Sequence, residues 1–278
     1  MKSILLVCIA ACLFNIAHAQ TDTTGKQQTN DTIRIGGMII VKKAGSNDRE
    51  IITRRDRSVK IPSRRNKPEN VTTNWMVLDL GYAGFNDKTN YSSAAAQAFA
   101  PGSNEDWFDL RGGKSRNVNL WFFMQRLNMV AHVVNLKYGL GLELNNYFFD
   151  DESIRFQKNP TLVTLDPGLK DAKKNKLAVD YLTVPLMLNF NFTPHRDNGF
   201  GFSAGVSGGF MYSARQKTKI DGDVDKLKND FDLKRWKVSY IGELNLGPVK
   251  LYGSYALKNM WDKGLDQTPY TVGFRLSN

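Results

Sequence analysis

Past its first 19 residues the chain has no cysteine, because Cys8 and Cys12 are the whole complement. A disulfide framework and a thiolate metal site are therefore excluded from the remainder. Long apolar runs are missing too: after the opening, nothing approaches the ~18 residues that a transmembrane helix needs. Histidine is scarce, with only His18, His132 and His195. Acids do cluster near 105–109, 150–152 and 221–225, but without the spacing of an EF-hand loop.

The opening itself, MKSILLVCIAACLFNIAHAQ, has Lys2 ahead of an apolar run and Ala17-His18-Ala19 as a small-x-small site. That is the pattern of a secretory signal peptide covering residues 1–19. Cys12 falls inside the apolar run with Leu13-Phe14 behind it, which speaks against lipid attachment. Cleavage after Ala19 would remove both cysteines and His18.

The net charge of +11 invites a nucleic-acid reading, but its distribution argues otherwise. Residues 20–74 hold 12 basic and 6 acidic residues, so more than half the excess lies in one short segment. An exported chain also rarely meets nucleic acid, and we expect no such partner. The segment carries the cluster Arg54, Arg55, Arg57, Lys60, Arg64, Arg65 and Lys67. Its composition cannot supply a core, so we expect a mostly disordered, basic extension. One exception is Thr32–Val41, which could form a short hairpin with Arg49–Thr53 across Gly45-Ser46-Asn47-Asp48.

From Trp75 onward the pattern changes to apolar alternation with a period of two, the mark of strands. About eight segments carry it, near 75–85, 117–128, 133–148, 178–193, 199–213, 235–246, 249–260 and 270–278. In the fourth, Leu182, Val184, Leu186, Leu188, Phe190 and Phe192 alternate with Tyr181, Thr183, Pro185, Met187, Asn189 and Asn191. In the first two, the apolar faces read Met76, Leu78, Leu80, Tyr82 and Val118, Leu120, Phe122, Met124.

A soluble sandwich would also alternate, so connection lengths decide. Long polar links near 86–116, 149–177 and 214–234, with a moderate one near 261–269, alternate with short ones near 129–132, 194–198 and 247–248. Short periplasmic turns alternating with longer outer loops belong to outer-membrane barrels. The expected fold is all-β, an antiparallel up-and-down transmembrane β-barrel of about eight strands over residues 75–278. An even strand count then brings both barrel ends to the periplasmic side.

A lipid-facing surface needs apolar side chains, and aromatic residues such as Tyr82, Trp236, Tyr270 and Phe192 suit its interfacial girdles. The opposite faces carry Asp79, Lys137, Glu143, Glu243, Lys250 and Arg275. Buried charge is tolerated only when paired and hydrogen-bonded. Since eight strands enclose a lumen that side chains just fill, these six are expected to form a lumen charge network, with glycines and serines where room is needed.

One motif points elsewhere. Gly205-Val206-Ser207-Gly208-Gly209 matches G-x-S-x-G, the nucleophile elbow of a hydrolase. An elbow serine needs a later histidine, and none follows His195. The stretch GFGFSAGVSGGFMYS also alternates throughout, which puts Ser207 in mid-strand. Gly199-x-Gly201-x-x-x-Gly205 is an equally weak echo of a dinucleotide loop, since no helix pattern follows it. His132 and His195 both fall in short links, away from the outer rim where small barrels place catalytic groups. We expect no enzyme activity, no cofactor and no metal site.

The segments DTIRIGGMIIVKK, TNWMVLDLGYAGFND, DYLTVPLMLNFNF and PYTVGFRLSN, together with AHAQ at the end of the signal, resemble the PorT-like outer-membrane β-barrel proteins of Bacteroidota. The resemblance implies residence in outer-membrane lipid after insertion by the barrel-assembly machinery, with no activity established for most members. The chain departs from many such barrels in ending Arg275-Leu276-Ser277-Asn278, without a terminal aromatic. Two functional readings stay open. One is a small barrel with a structural or interaction role, whose basic periplasmic extension is either a solvated tether or a contact for an anionic periplasmic partner. The other is transport of a small or hydrophobic solute, or membership of a protein secretion assembly.

Overall fold

A computed structural model describes the backbone of 31–35, 38–42, 49–53 and 58–61, and the chain over 69–276 except 195–198 and 248. The signal segment, most of the basic cluster and His195 lie outside the described residues. The chain divides into two units, residues 1–67 and 68–278.

In the first unit, β1 (Asp31–Ile35), β2 (Met38–Lys42), β3 (Arg49–Thr53) and β4 (Ser58–Ile61) form an antiparallel meander in sequence order. The expected pairing of the second apolar run with Arg49–Thr53 is present, with Ile40 opposite Ile51. Thr32–Val41, however, is two strands and not one, because Ile35 lies opposite Met38. The sequence carries the reason in Gly36-Gly37, a two-residue hairpin signal.

The second unit is an eight-stranded antiparallel ring. Its members are β5 (Val71–Asp87), β6 (Arg116–Val130), β7 (Val134–Phe148), β10 (Lys174–Asn191), β11 (Phe200–Ile220), β13 (Trp236–Leu246), β14 (Val249–Ala256) and β15 (Gln267–Leu276). Each pairs with the next in sequence, and β15 closes on β5 with Arg275 opposite Asp79. Closure leaves the ring no free edge. The remaining short strands, β8 (Ile154–Phe156), β9 (Val163–Leu165) and β12 (Asp223–Lys228), belong to the long connections. No helix among the described residues is long and apolar enough to cross a membrane.

The outside of the ring is apolar. Leu182, Val184, Leu186 and Leu188 on β10, and Phe200, Val206, Phe210 and Tyr212 on β11, are exposed. On β13 the belt runs from Trp236 through Val238, Tyr240 and Leu244 to Leu246. That 11-residue strand, tilted about 40°, covers roughly 26 Å of height, the depth of a bilayer's apolar band. Aromatic residues mark both rims. Phe210 packs on Trp236 at 4.9 Å and Tyr82 on Tyr270 at 6.0 Å toward the long loops. Trp75 meets Phe123 at 6.1 Å, and Phe192 meets Phe202 at 6.0 Å, toward the short turns.

The expected alternation is broken at Tyr212 on β11, near Met129 at the end of β6, and at two facing residues of β5 and β6. Met76 has φ +53° and is skipped in the pairing of β5 with β6, opposite Phe122, beside which β6 also shifts register against β7. The extra residue reverses the faces, as a β-bulge does. Trp75 therefore points out while Val77 is buried, and Met124, placed by simple alternation on the lipid face, is inside at 3% exposure.

Candidate functional site

The interior is built in two parts. At its centre, Arg275 holds Asp79 with two bonds, Nε to Oδ1 at 2.6 Å and Nη2 to Oδ2 at 2.7 Å, and also pairs with Glu243. Lys137 pairs with the same Glu243, and Lys237 pairs with Glu143. Three carboxylates thus face three cations, contributed by four strands of the ring, β5, β7, β13 and β15. Neutral donors complete the shell. Asp79 Oδ2 accepts from Trp121 Nε1 at 2.7 Å and Asn119 Nδ2 at 3.2 Å. Asn117 donates to Asn119 at 2.9 Å and Asn145 at 2.8 Å, and Asn145 donates to Glu143 at 3.0 Å. The Lys237 ammonium also lies 4.5 Å from the centre of the Tyr181 ring.

This arrangement satisfies the condition under which buried charge is stable, because each charged group has a partner of opposite sign and each carboxylate also accepts from neutral donors. Of the six residues singled out from the sequence, Asp79, Lys137, Glu143, Glu243 and Arg275 come together. Lys250 shares the inner face of β14 with Tyr252, is half-buried, and interacts electrostatically with Arg126. Lys237 was missed as a member. Its inward parity was legible, but its partner Glu143 is 94 residues away.

Beside the charges, Val77, Trp121, Met124 and Met187 form a small apolar layer, with Ile241 against it. Trp121 fits because its neighbour across the ladder is Gly141, where an added Cβ would lie 2.7 Å from the indole. Among these residues lies a cavity of about 30 Å³, space for one or two waters. Ser207 lines it from the middle of β11, opposite Pro185 and Ser239, in a straight strand and not on an elbow.

The second part is a cap, built by the long links that the sequence suggested were polar. The long links are not simply polar: each of the four sends large apolar side chains into one buried cluster. Phe99 and Phe108 come from the link after β5; Phe149, Ile154, Phe156 and Val163 from that after β7. Phe231 and Leu233 follow β11, and Met260, Trp261 and Leu265 follow β14. Phe156 is their meeting point, stacked on Trp261 at 5.9 Å and touching Phe231 at 5.3 Å and Phe149 at 5.9 Å. Phe99 meets Trp261 edge-on at 5.3 Å, and packs so close to Gly264, at φ +86°, that a Cβ there would lie 2.4 Å from it.

Barrel residues anchor the cap through the loop backbone. Gln216 accepts from Phe156 N at 3.0 Å and donates to Ile154 O at 2.8 Å, while Asn175 donates to the same oxygen at 2.6 Å. Buried backbone groups of β8, which pairs with β9, are thereby also satisfied by side chains of the ring. Trp261 Nε1 donates to Gln267 at 2.9 Å, and Gln267 donates to Asp87 at 2.7 Å. Burial, followed by the Asp87 carboxylate that it hydrogen-bonds, pushes the Tyr91 phenol well above its usual range.

The loop acids are engaged in ion pairs more than in any ligand-like cluster. Arg111 pairs with Asp150 at 3.2 Å and with Glu152, and Arg155 with Asp166 at 3.1 Å. Among the described residues no three His, Cys, Asp or Glu converge as metal ligands would. His132 sits in the short turn between β6 and β7, with φ +58°.

A closed eight-strand ring with an apolar belt, aromatic rims and a charged interior is the geometry of a membrane-spanning barrel. The sequence model of the outer membrane protein beta-barrel domain family matches residues 81–261. The chain belongs to this family. The outer-membrane barrel thus has its apolar belt in the lipid of that membrane. Among curated proteins, none matches the chain.

Proposed function

We propose that this outer-membrane barrel is a closed scaffold with a structural or interaction role, not a channel and not an enzyme. The observation that carries this reading is the interior: linked ion pairs and an apolar layer fill the centre of the ring around a cavity of about 30 Å³, beneath an aromatic cap. A hydrated path for even a small solute requires a continuous lumen, as in much larger barrels. By the rule that short turns face the periplasm, the cap faces outward and the N-terminal extension lies in the periplasm. The extension's basic cluster would there meet an anionic partner, a lipid headgroup layer or an acidic periplasmic protein, at about 1 kcal/mol per Lys or Arg near an anionic surface.

The deciding experiment is conductance of the purified barrel in planar bilayers. No stable conductance supports the closed scaffold. Discrete openings would favour transport of a small solute instead. Membership of a secretion assembly, which the PorT-like segments favour, would be read by crosslinking in the native envelope. Recovery of the same outer-membrane partners only with an intact chain would support it. Deleting residues 20–70 with membrane association and partner recovery unchanged would remove the extension from either role.

A further inference from the structure

On one side of the barrel the strands do not stop where the apolar belt stops. The belt ends on β10 at Leu182 and on β11 at Tyr212, but β10 begins at Lys174, β11 runs on to Ile220, and β12 pairs with that overhang. Outward-facing positions of this overhang are basic, and they are stacked opposite one another. Lys174 faces Lys219, Lys176 faces Lys217, Lys217 also faces Lys226, and Arg215 faces Lys228. Like charges directly opposite on a ladder are destabilising, and the ammonium groups of Lys174, Lys176 and Lys217 repel one another here. One carboxylate shares the face, Asp180, and it is taken by Arg215. The ladder therefore lacks an internal counter-charge to match it.

Height and direction decide what would supply one. At about 2.6 Å of rise per residue on a strand tilted by 40°, Arg215 and Lys217 stand roughly 8 and 13 Å above Tyr212. The polar layer of a bilayer begins at the belt and is about 5–8 Å deep. Lysine and arginine arms lean toward such a layer with their stems along the surface. The shelf also follows the belt around the barrel across β10, β11 and β12. An anion held by the lipid would meet several of these cations at once, whereas a soluble anion would have no reason to be met at that height.

We propose that this basic shelf is a docking site for the phosphate groups of anionic lipids in the leaflet at the long-loop end. The lipid tail would lie on Leu182, Val184 and Tyr212 while its phosphates bridge the opposed lysines. The site deepens the scaffold reading and rests on the barrel's place in the membrane, not on its being closed.

The test is lipid binding to the purified, folded barrel in detergent, read by native mass spectrometry during titration with phosphatidic acid, phosphatidylcholine or inorganic phosphate. Wild type is expected to retain phosphatidic acid at least tenfold more tightly than phosphatidylcholine, and to lose that preference in high salt. The variant Lys176→Gln/Lys217→Gln/Lys226→Gln/Lys228→Gln, which removes the shelf lysines nearest the belt, should lose at least tenfold in affinity for phosphatidic acid alone. A control, Lys88→Gln/Lys258→Gln, removes the same sign of charge from exposed loop positions off the shelf and should bind as wild type. Equal losses in both variants, no preference in wild type, or displacement of the lipid by millimolar inorganic phosphate would each overturn the proposal. The gel shift on boiling confirms that each variant is folded, and the salt dependence of wild type stands without any variant. Conductance would overturn the closed scaffold but leave this site intact, so the two fail separately.

Discussion

Replacing Arg275 by methionine should destabilise the barrel by about 3 kcal/mol or slightly more. Arg275 is almost fully buried and makes three charged bonds, two to Asp79 and one to Glu243. Removing one partner of a buried pair costs about 3–5 kcal/mol, because the other charge stays buried without its counter-ion. The lower end applies here. Asp79 keeps Trp121 and Asn119, and Glu243 keeps Lys137. Methionine retains the volume of the stem, so the cavity contribution is small. The measurement is urea unfolding in lipid vesicles, followed by tryptophan fluorescence. A double-mutant cycle with Asp79→Asn should give a coupling of about 1.5–3 kcal/mol, since the doubly substituted site no longer holds an orphaned Asp79 charge. An Arg275→Met barrel within about 1 kcal/mol of wild type would refute the reasoning, and would mean that water reaches these carboxylates.

Further outcomes follow from the same geometry. Gly141→Val should lose about 1–3 kcal/mol in the same unfolding assay, because its Cβ would lie 2.6 Å from the Leu120 carbonyl and 2.7 Å from Trp121. Trp261→Ala removes the ring on which Phe99 and Phe156 pack; limited proteolysis should then cut the long loops much faster while the heat-resistant ring still shifts on SDS gels. Trp121→Phe deletes the indole donor to Asp79, with an expected cost of about 1.5–3 kcal/mol by urea titration. Ser207→Ala should leave esterase background unchanged, and a loss of hydrolysis specific to that variant would revive the elbow motif.

The eight ring strands were legible because period-two alternation needs no knowledge of partners. On β10 it holds from Tyr181 to Asn189, with Thr183, Met187 and Asn189 all inside. It failed at Met76, Phe122 and Tyr212, where an extra residue resets the parity while the sequence on both sides still alternates. Met124 was misplaced for that reason. The cap was not legible at all. Phe99, Phe108, Phe156 and Phe231 stand among polar neighbours with no period, and only the folded connections bring them together. For the lumen, alternation gives inwardness but not pairing, so Arg275 and Asp79 could be named while the Lys237 to Glu143 link could not.

The bond between Asp79 and Arg275 joins the first ring strand to the last, across 196 positions of chain. Until β15 arrives, Asp79 and Glu243 face a lumen that lacks their strongest cation. Arg275 sits near the far end of that last strand, one position before Leu276. The charge centre is therefore completed only as the seam closes. The contact that holds the finished barrel therefore exists only in the closed ring, and an open arrangement of the same strands would lack it.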